Sequence, residues 1–170
     1  MSDESNLPTP QTLRSVDFLS TFSDVELSQI IALGRESSFE AHTNIVIEGE
    51  LSWGLYIILE GTVGIYKTNQ LNGENYDIGH LRAGNVFGEL SLIDDNPRSA
   101  TVRALTKTIT YYIPKEQFKA YLEESAEIEH KFLTNCIRTL ALMLREVNDK
   151  YVISQYQLWQ NALGKQEISK

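Results

Sequence analysis

The middle of the chain alternates short apolar runs with glycines and polar turns. Runs of this length and spacing are typical of an antiparallel β-roll or barrel. A hairpin turn is predicted at Asn72-Gly73, because this pair favours the backbone conformation of a tight turn. The predicted strands cover residues 37–41, 45–47, 55–59, 63–67, 76–81, 100–105 and 108–113.

Helical patterns lie on both sides of the β-rich segment. Ser23-Asp24-Val25-Glu26 forms a capping box, and the apolar helical face that follows it ends at Gly34. Pro114 begins a short helix that reaches about Leu122, and a long helix is predicted from near Ser125 to about Leu163. The predicted fold class is α+β: an antiparallel β-roll with an N-terminal helix and a long C-terminal helix.

The long helix carries more apolar surface than a small β domain needs. A heptad seam with alternating spacings of four and three predicts that two chains pair along it. Phe132, Cys136 and Met143 lie off the seam and are candidates to face the roll. The alternative is that the first half covers the roll and the last turns fray. The seam consists of Leu133, Ile137, Leu140, Leu144, Val147, Tyr151, Ser154 and Leu158.

These patterns divide the chain into four segments. Residues 1–12 are predicted to be a flexible tail, because they contain prolines and polar residues without an apolar period. Residues 13–124 form the β-roll with its flanking helices. Residues 125–163 form the long, dimerising helix, and residues 164–170 form a second tail.

Composition narrows the function classes. The chain of 170 residues has 15 Lys and Arg against 23 Asp and Glu, a net charge of −8 that disfavours nucleic acid as a partner. A single cysteine, Cys136, indicates a reducing compartment. Without an apolar run of about 18 residues or a signal peptide, we expect a cytoplasmic protein with no membrane partner.

The segment from Phe87 to Thr101 holds the candidate chemistry. Gly88 lets a ligand approach the backbone, and a short helical turn that starts near Glu89 would direct N–H groups at a phosphate. Arg98 supplies a permanent planar charge for that phosphate. Glu89 would repel a phosphate, but its carboxylate accepts hydrogen bonds from a ribose hydroxyl. An anionic sugar-phosphate is the ligand that this pattern favours.

An enzyme is the function class with the least support in the sequence. His42, His80 and His130 are scattered without metal-ligand spacing, and Cys136 has no neighbouring base in the sequence. The motifs Gly-x-Ser-x-Gly and Walker A do not occur. We therefore expect no catalytic residue, no metal site and no cofactor.

The sequence Phe-Gly-Glu-Leu-Ser-Leu, followed by Arg-Ser-Ala, resembles the phosphate-binding cassette of the cyclic-nucleotide-binding domain family. The resemblance extends over about residues 15–150 and includes glycine-punctuated strand pairs at 47–50 and 55–63. It implies that Glu89 binds the ribose 2′-hydroxyl, that Arg98 binds the cyclic phosphate, and that Ser99 adds a contact. It also implies a short cassette helix and backbone N–H contacts from Gly88, Leu90 and Ser91.

In the catabolite-activator branch of this family, the long helix pairs two subunits and caps the purine. That likeness makes Asn148 a candidate for the purine edge and Tyr151 a rival through ring stacking. Relatives in this branch carry a DNA-binding domain after the helix, whereas a short polar tail follows Leu163 here, so no direct DNA binding is expected. The expected ligand is cyclic AMP. Cyclic GMP is the alternative, because receptors that prefer it often have threonine where this chain has Ser99.

The expected function is a non-enzymatic cyclic-nucleotide receptor that signals to an unknown effector protein through ligand-dependent contacts, as a homodimer. One alternative is a regulatory fragment of a larger transcription factor, channel or kinase. Another is a dimerisation module that needs no nucleotide, for which Arg98 would be dispensable.

Overall fold

The computed structural model describes residues 7–51, 53–94 and 96–167, and in these ranges it contains eight strands and five α-helices. A 3-10 helix, Asp17–Leu19, follows the first helix. The strands are β1 Arg35–Phe39, β2 Asn44–Val46, β3 Gly54–Glu60, β4 Thr62–Thr68, β5 Asn75–Arg82, β6 Val86–Phe87, β7 Thr101–Ala104 and β8 Thr108–Pro114. The helices are α1 Pro10–Arg14, α2 Asp24–Leu33, α3 Leu90–Ile93, α4 Lys115–Glu123 and α5 Ala126–Glu167.

The strands form two four-stranded antiparallel sheets, and these confirm the predicted α+β roll. The strand orders are β1-β8-β3-β6 and β2-β7-β4-β5. Val46, Val63 and Val102 of the second sheet share one buried cluster with Ile58 and Phe87 of the first. Apolar side chains from both sheets therefore meet in one core, as the alternating burial of sandwiched strands requires.

All seven predicted strands are present, with ends within two residues of the predicted ones. The Asn72-Gly73 turn lies in the β4–β5 hairpin, where Gly73 has a φ of +72°. Strand β6 was not predicted, because two residues are too few to show a period. It pairs with β3 through Tyr56 and Phe87, and the cassette begins directly after it.

The prediction of a flexible tail for residues 1–12 is wrong at its end. Helix α1 begins at Pro10, where the Thr9 hydroxyl caps it by accepting a hydrogen bond from the Thr12 N–H, and Leu13 is fully buried. A proline at the first helical position after a threonine cap is a helix-start signal. Residues 1–6 of this predicted tail lie outside the described residues.

The predicted α2 and α4 are confirmed. The Ser23 hydroxyl accepts from the Glu26 N–H while the Glu26 carboxylate accepts from the Ser23 N–H. Lys131, at the start of α5, donates to the same carboxylate at 2.9 Å. Phe132 meets the rings of Phe18 and Phe118 edge-on, so the start of α5 packs against the helices beside the roll.

Helix α5 extends beyond its predicted end at Leu163 and includes residues 164–167 of the predicted second tail. The chain divides into two compact units, the first extending to Leu133 and the second starting at Thr134. The sequence placed its boundary after residue 124, and the assignment of a binding domain and a dimerising helix stays a prediction. Residues 168–170 lie outside the described part of the chain.

In the second unit, Cys136 is buried and Met143 is 38% exposed. That these two residues face the roll stays a prediction. The apolar seam residues of this unit are exposed in the single chain. The stretch from Tyr151 through Gly164 contains no charged residue.

Candidate functional site

Backbone hydrogen bonds join Arg98 to the turn before β3. The Arg98 N–H donates to the Glu50 carbonyl at 2.8 Å, and the Gly49 N–H donates to the Arg98 carbonyl at 2.9 Å. Arg98 is buried, with only 6% of its surface exposed. A cation at this depth is fixed by the surrounding structure and is poorly solvated.

Two neutral groups contact the Arg98 guanidinium. Its Nη2 donates to the Gly54 carbonyl oxygen at 2.7 Å, and its carbon lies 5.8 Å from the centre of the Tyr56 ring. The carbonyl accepts one of the guanidinium donors, and the ring lies within the distance at which a cation is attracted to an aromatic side chain. Gly54 accepts no larger residue, since a Cβ there would lie 2.2 Å from the Ile113 carbonyl oxygen.

Gly88 lies against this guanidinium. It has a φ of +91°, and a Cβ at this position would lie 2.3 Å from Nη1 of Arg98 and 2.7 Å from the Gly54 carbonyl oxygen. Both the backbone conformation and the space therefore require glycine. The absence of a side chain at residue 88 lets the cassette backbone and the guanidinium approach each other.

Glu89 follows directly, and only 5% of it is exposed. It precedes α3 but its side chain does not cap that helix. Burial raises the pKa of the Glu89 carboxyl, and the nearby charge of Arg98 opposes this effect. Burial also lowers the pKa of Arg98, with Tyr56 and Glu89 acting in the opposite direction. A buried cation and a buried carboxyl group thus lie within electrostatic reach of each other.

The predicted cassette helix is α3, a single turn. The Leu92 N–H donates to the Glu89 carbonyl and the Asp94 N–H to the Leu90 carbonyl. The Leu90 and Ser91 N–H groups belong to the first turn, where backbone donors have no acceptor inside the helix. The structure therefore places Gly88, Glu89, Leu90 and Ser91 in one continuous segment beside Arg98.

Ser99 is exposed, and its backbone is held in place by Lys67. The Lys67 ammonium donates to the Ser99 carbonyl at 2.6 Å and to the Glu48 carboxylate at 2.5 Å. The hydrogen bond from Lys67 lowers the pKa of Glu48. These contacts fix the chain just after Arg98.

Asn148 and Tyr151 are both exposed on α5, in the unit that starts at Thr134. The structure neither confirms nor contradicts a contact between them and a ligand, so their role as base-capping residues stays a prediction.

Sequence reasoning missed two residues that contact the guanidinium, Gly54 and Tyr56. Gly54 acts through its backbone carbonyl, which leaves no side-chain signal. Tyr56 occupies an ordinary strand position and looks like a core residue in the sequence.

Tyr56 belongs to a row of four side chains that crosses the first sheet. Arg35 is opposite Tyr112, Tyr112 is opposite Tyr56, and Tyr56 is opposite Phe87 in the strand registers. The Tyr56 and Phe87 rings stack with centres 4.8 Å apart and planes 4° from parallel. The Tyr56 and Tyr112 centres are 4.9 Å apart, and the Arg35 guanidinium lies 5.1 Å from the Tyr112 ring. We call these four residues the cross-strand row.

Within the described ranges, no group of His, Cys, Asp and Glu has the arrangement of a metal site. None of the helices in those ranges is long and apolar enough to cross a membrane.

The fold and the site define a β-roll domain with a buried glutamate after the short strand β6 and a buried arginine in the loop after α3. A family model described as "Cyclic nucleotide-binding domain" matches residues 36–125, and the chain belongs to this family.

Among curated proteins, the chain is 36% identical over 117 residues to a cAMP-dependent protein kinase regulatory subunit of Blastocladiella emersonii. This match covers 68% of the chain and 28% of the relative. It is 31% identical to the cyclic AMP receptor protein of Thermus thermophilus, with coverages of 61% and 46%. The chain thus matches less than half of the length of these two relatives.

Two solved structures illustrate the similarity of the fold. A cyclic nucleotide-binding domain from Methylobacillus flagellatus superposes with a TM-score of 0.74 at 22% identity, covering 83% of each chain. The regulatory domain of Toxoplasma gondii PKA, crystallised with cAMP, gives a TM-score of 0.61 at 27% identity, covering 66% of this chain and 42% of that one.

Proposed function

We propose that this chain is a cyclic-nucleotide receptor whose ligand is cyclic AMP, and that it signals through protein contacts that change when the ligand binds. The observation that carries the proposal is the buried guanidinium of Arg98, held by the Gly54 carbonyl and the Tyr56 ring beside Gly88. A buried guanidinium can bind an anionic ligand through charge-assisted hydrogen bonds, which are the strong ones.

Glu89 narrows the class of anion. Its carboxylate would repel a phosphate, so it must meet a hydrogen-bond donor of the same ligand. A ribose cyclic phosphate carries a negative group and a hydroxyl at a short, fixed separation. In this proposal Arg98 binds the phosphate and Glu89 accepts from the 2′-hydroxyl. The N–H groups of Gly88, Leu90 and Ser91 and the Ser99 residue complete the contacts.

The base would be held from α5, by Asn148 through its amide or by Tyr151 through its ring. A second copy of the chain would pair along the seam of α5, and a ligand that touches both cassette and helix would then alter the surface offered to an effector protein. Such coupling requires only that two arrangements of the paired α5 helices differ in their affinity for the ligand. In this proposal the protein is a receptor and not an enzyme.

Calorimetry against cyclic AMP, cyclic GMP and cyclic di-GMP in parallel tests the proposal. We expect saturable binding of cyclic AMP at one site per chain. If cyclic GMP bound tenfold more tightly than cyclic AMP, the assigned ligand would change and the assigned phosphate site would stand. No heat and no thermal shift with millimolar cyclic AMP or cyclic GMP would remove the receptor function.

Two relatives support the choice of ligand by their names: the cAMP-dependent kinase regulatory subunit and the cyclic AMP receptor protein. The chain spans only part of each relative. The alternative is that it is part of a larger regulatory protein, in which the same site would work.

A further inference from the structure

The chain that follows Arg98 is tied to the roll by a lysine that the proposed ligand contacts do not include. The Lys67 ammonium, near the end of β4, donates to the Ser99 carbonyl oxygen at 2.6 Å and to the Glu48 carboxylate at 2.5 Å. Two of the three donors of this ammonium therefore have acceptors at short distances. Ser99 is itself exposed, and it is the residue proposed to add a contact to the ligand.

Glu48 is held by hydrogen bonds to two further strands. Its carboxylate accepts from the Thr68 N–H at 2.9 Å, at the end of β4, and its own N–H donates to the Thr101 hydroxyl at 3.0 Å, at the start of β7. The Glu48 residue is half-buried, whereas the Lys67 side chain is 48% exposed. The fixed carboxylate therefore holds the more mobile ammonium beside the Ser99 carbonyl.

The carbonyl groups before and after the Ser99 Cα atom both accept hydrogen bonds. The Arg98 carbonyl accepts from the Gly49 N–H at 2.9 Å, and the Ser99 carbonyl accepts from Lys67. Each carbonyl belongs to a planar peptide group, so these bonds restrain the two planes that meet at the Ser99 Cα. The direction of a Cβ atom follows from those two planes. The contact from Lys67 therefore restrains the direction in which the Ser99 side chain leaves the backbone.

We infer that Lys67 is a positioning residue for Ser99: held by Glu48, its ammonium fixes the peptide group after Ser99 and thereby directs the Ser99 hydroxyl at the ligand. The inference rests on the proposed function, because the ligand concerned is a cyclic nucleotide bound beside Arg98. It assigns part of the ligand affinity to a strand residue that the sequence did not mark as a site residue.

The test uses Lys67→Met, which removes the ammonium and keeps an unbranched apolar stem, and Glu48→Gln, which removes the charge that holds the ammonium. The matched control is Arg14→Met. The Arg14 side chain is 46% exposed, close to the value for Lys67, and it pairs with Asp24 among the N-terminal helices. This control removes one positive charge and one ion pair that are unconnected with the candidate site. Circular dichroism and melting curves establish that each variant folds.

The first measurement needs no ligand. Nuclear magnetic resonance relaxation of backbone amides gives order parameters of about 0.85 in rigid segments and below about 0.6 in flexible ones. We expect the Ser99 and Ala100 amides to be rigid in the parent and in Arg14→Met, and to lose order in Lys67→Met. If their order parameters and the backbone coupling that reports φ of Ser99 are unchanged in Lys67→Met, the inference is overturned even if no cyclic nucleotide binds. This measurement therefore separates it from the proposed function.

The second measurement is a double-mutant cycle in calorimetry with cyclic AMP, and with cyclic GMP in parallel. We expect Lys67→Met and Ser99→Ala each to weaken binding by about 2- to 10-fold, the range of one neutral hydrogen bond. Lys67→Met should add little in the Ser99→Ala background, because the hydroxyl that it positions is absent. An equal loss in both backgrounds would show that Lys67 acts through its charge or through general stability, and would contradict the inference. Parent-like affinity in Lys67→Met or in Ser99→Ala would contradict it as well.

Glu48→Gln covers the case in which Lys67→Met does not fold. The glutamine amide can still accept from the Thr68 N–H but no longer forms an ion pair with the ammonium. We expect order at Ser99 and affinity for cyclic AMP to fall in the same direction as in Lys67→Met and by a smaller amount. The loss of affinity should again disappear in the Ser99→Ala background. A loss that persists there in full would show that the pair does not act through Ser99.

Discussion

The Arg98 guanidinium donates a hydrogen bond to the carbonyl oxygen of Gly54, 44 positions earlier in the chain. This bond joins the loop after α3 to the first residue of β3. The partner is a backbone atom at a position that tolerates only glycine, so it cannot be exchanged for a side chain by mutation. The site is therefore built on the sheet and not only on the cassette loop.

Replacing Arg98 by alanine should abolish most of the ligand affinity. Loss of a charged hydrogen bond costs about 1.5–3 kcal/mol, which is more than tenfold in the dissociation constant. Calorimetry with cyclic AMP measures the loss. The stabilisation of about 2.7 kcal/mol expected at 100 times the dissociation constant should also disappear in thermal unfolding. Arg103→Ala is the matched control, because Arg103 is also a cation near a tyrosine ring but lies on β7, in the second sheet. An equal response to ligand in Arg98→Ala would refute the phosphate site.

Replacing Glu89 by glutamine should act on the ribose. The variant keeps shape and hydrogen-bonding capacity but loses the charged acceptor, so we expect weaker binding of cyclic AMP and little change for its 2′-deoxy analogue. The two titrations are run on the same preparation of each protein. Equal losses for both ligands would mean that Glu89 supports the fold and does not touch the 2′-hydroxyl.

The same residue predicts a pH dependence of stability in the ligand-free protein. Burial raises the pKa of Glu89 above its ordinary value of 4.5, so the folded state binds more protons than the unfolded state between the two values. The contribution of Glu89 is fully present below 4.5 and is lost as the pH rises through the folded pKa. Urea unfolding from about pH 4 to pH 7 should show a fall that Glu89→Gln lacks. Parallel curves for the two proteins would contradict this.

Replacing Gly88 by alanine should displace the guanidinium. The new Cβ would lie 2.3 Å from Nη1 of Arg98 and would also meet the Gly54 carbonyl, in addition to the cost of a positive φ. Gly73→Ala is the control, since Gly73 has a φ of +72° and no atom lies within 4 Å of the place that its new methyl group would take. Both variants should lose about 1–3 kcal/mol of unfolding free energy and should therefore melt at a lower temperature. Only Gly88→Ala should lose about tenfold or more in cyclic AMP affinity, and equal affinities in the two variants would rule out the displacement.

Pairing along α5 can be tested with one charge placed on the seam. Leu144→Glu should give monomers in sedimentation experiments where the parent gives dimers, because a carboxylate in an apolar seam is left unpaired. Leu142→Glu introduces the same charge at an equally exposed leucine off the seam and should remain dimeric. A parent that is monomeric at about 100 µM, with and without cyclic AMP, would remove the dimer while leaving the nucleotide site intact.

The sequence was informative wherever local pattern and structure coincide. Glycines and polar turns marked seven of the eight described strands, and the cassette motif identified Glu89 and Arg98, which the structure brings together. It was uninformative for short elements and for long-range contacts. Helix α1 has five residues, too few for a hydrophobic period, and its cap was the only signal. Tyr56 meets Phe87 and Tyr112 only through strand register, which the sequence does not specify.

The uncharged end of α5 has a consequence for the way in which salt affects this protein. From Tyr151 through Gly164 the helix extends roughly 21 Å. Its midpoint is therefore about 10 Å from the nearest charge along the axis, more than the Debye length of about 8 Å at physiological ionic strength. Pairing through this stretch should respond little to added salt. Binding of an anion by Arg98, in a chain of net charge −8, should depend on ionic strength, because salt screens the charges of ligand and protein. Ionic strength thus offers a means of changing ligand capture with little effect on the contacts made through this stretch.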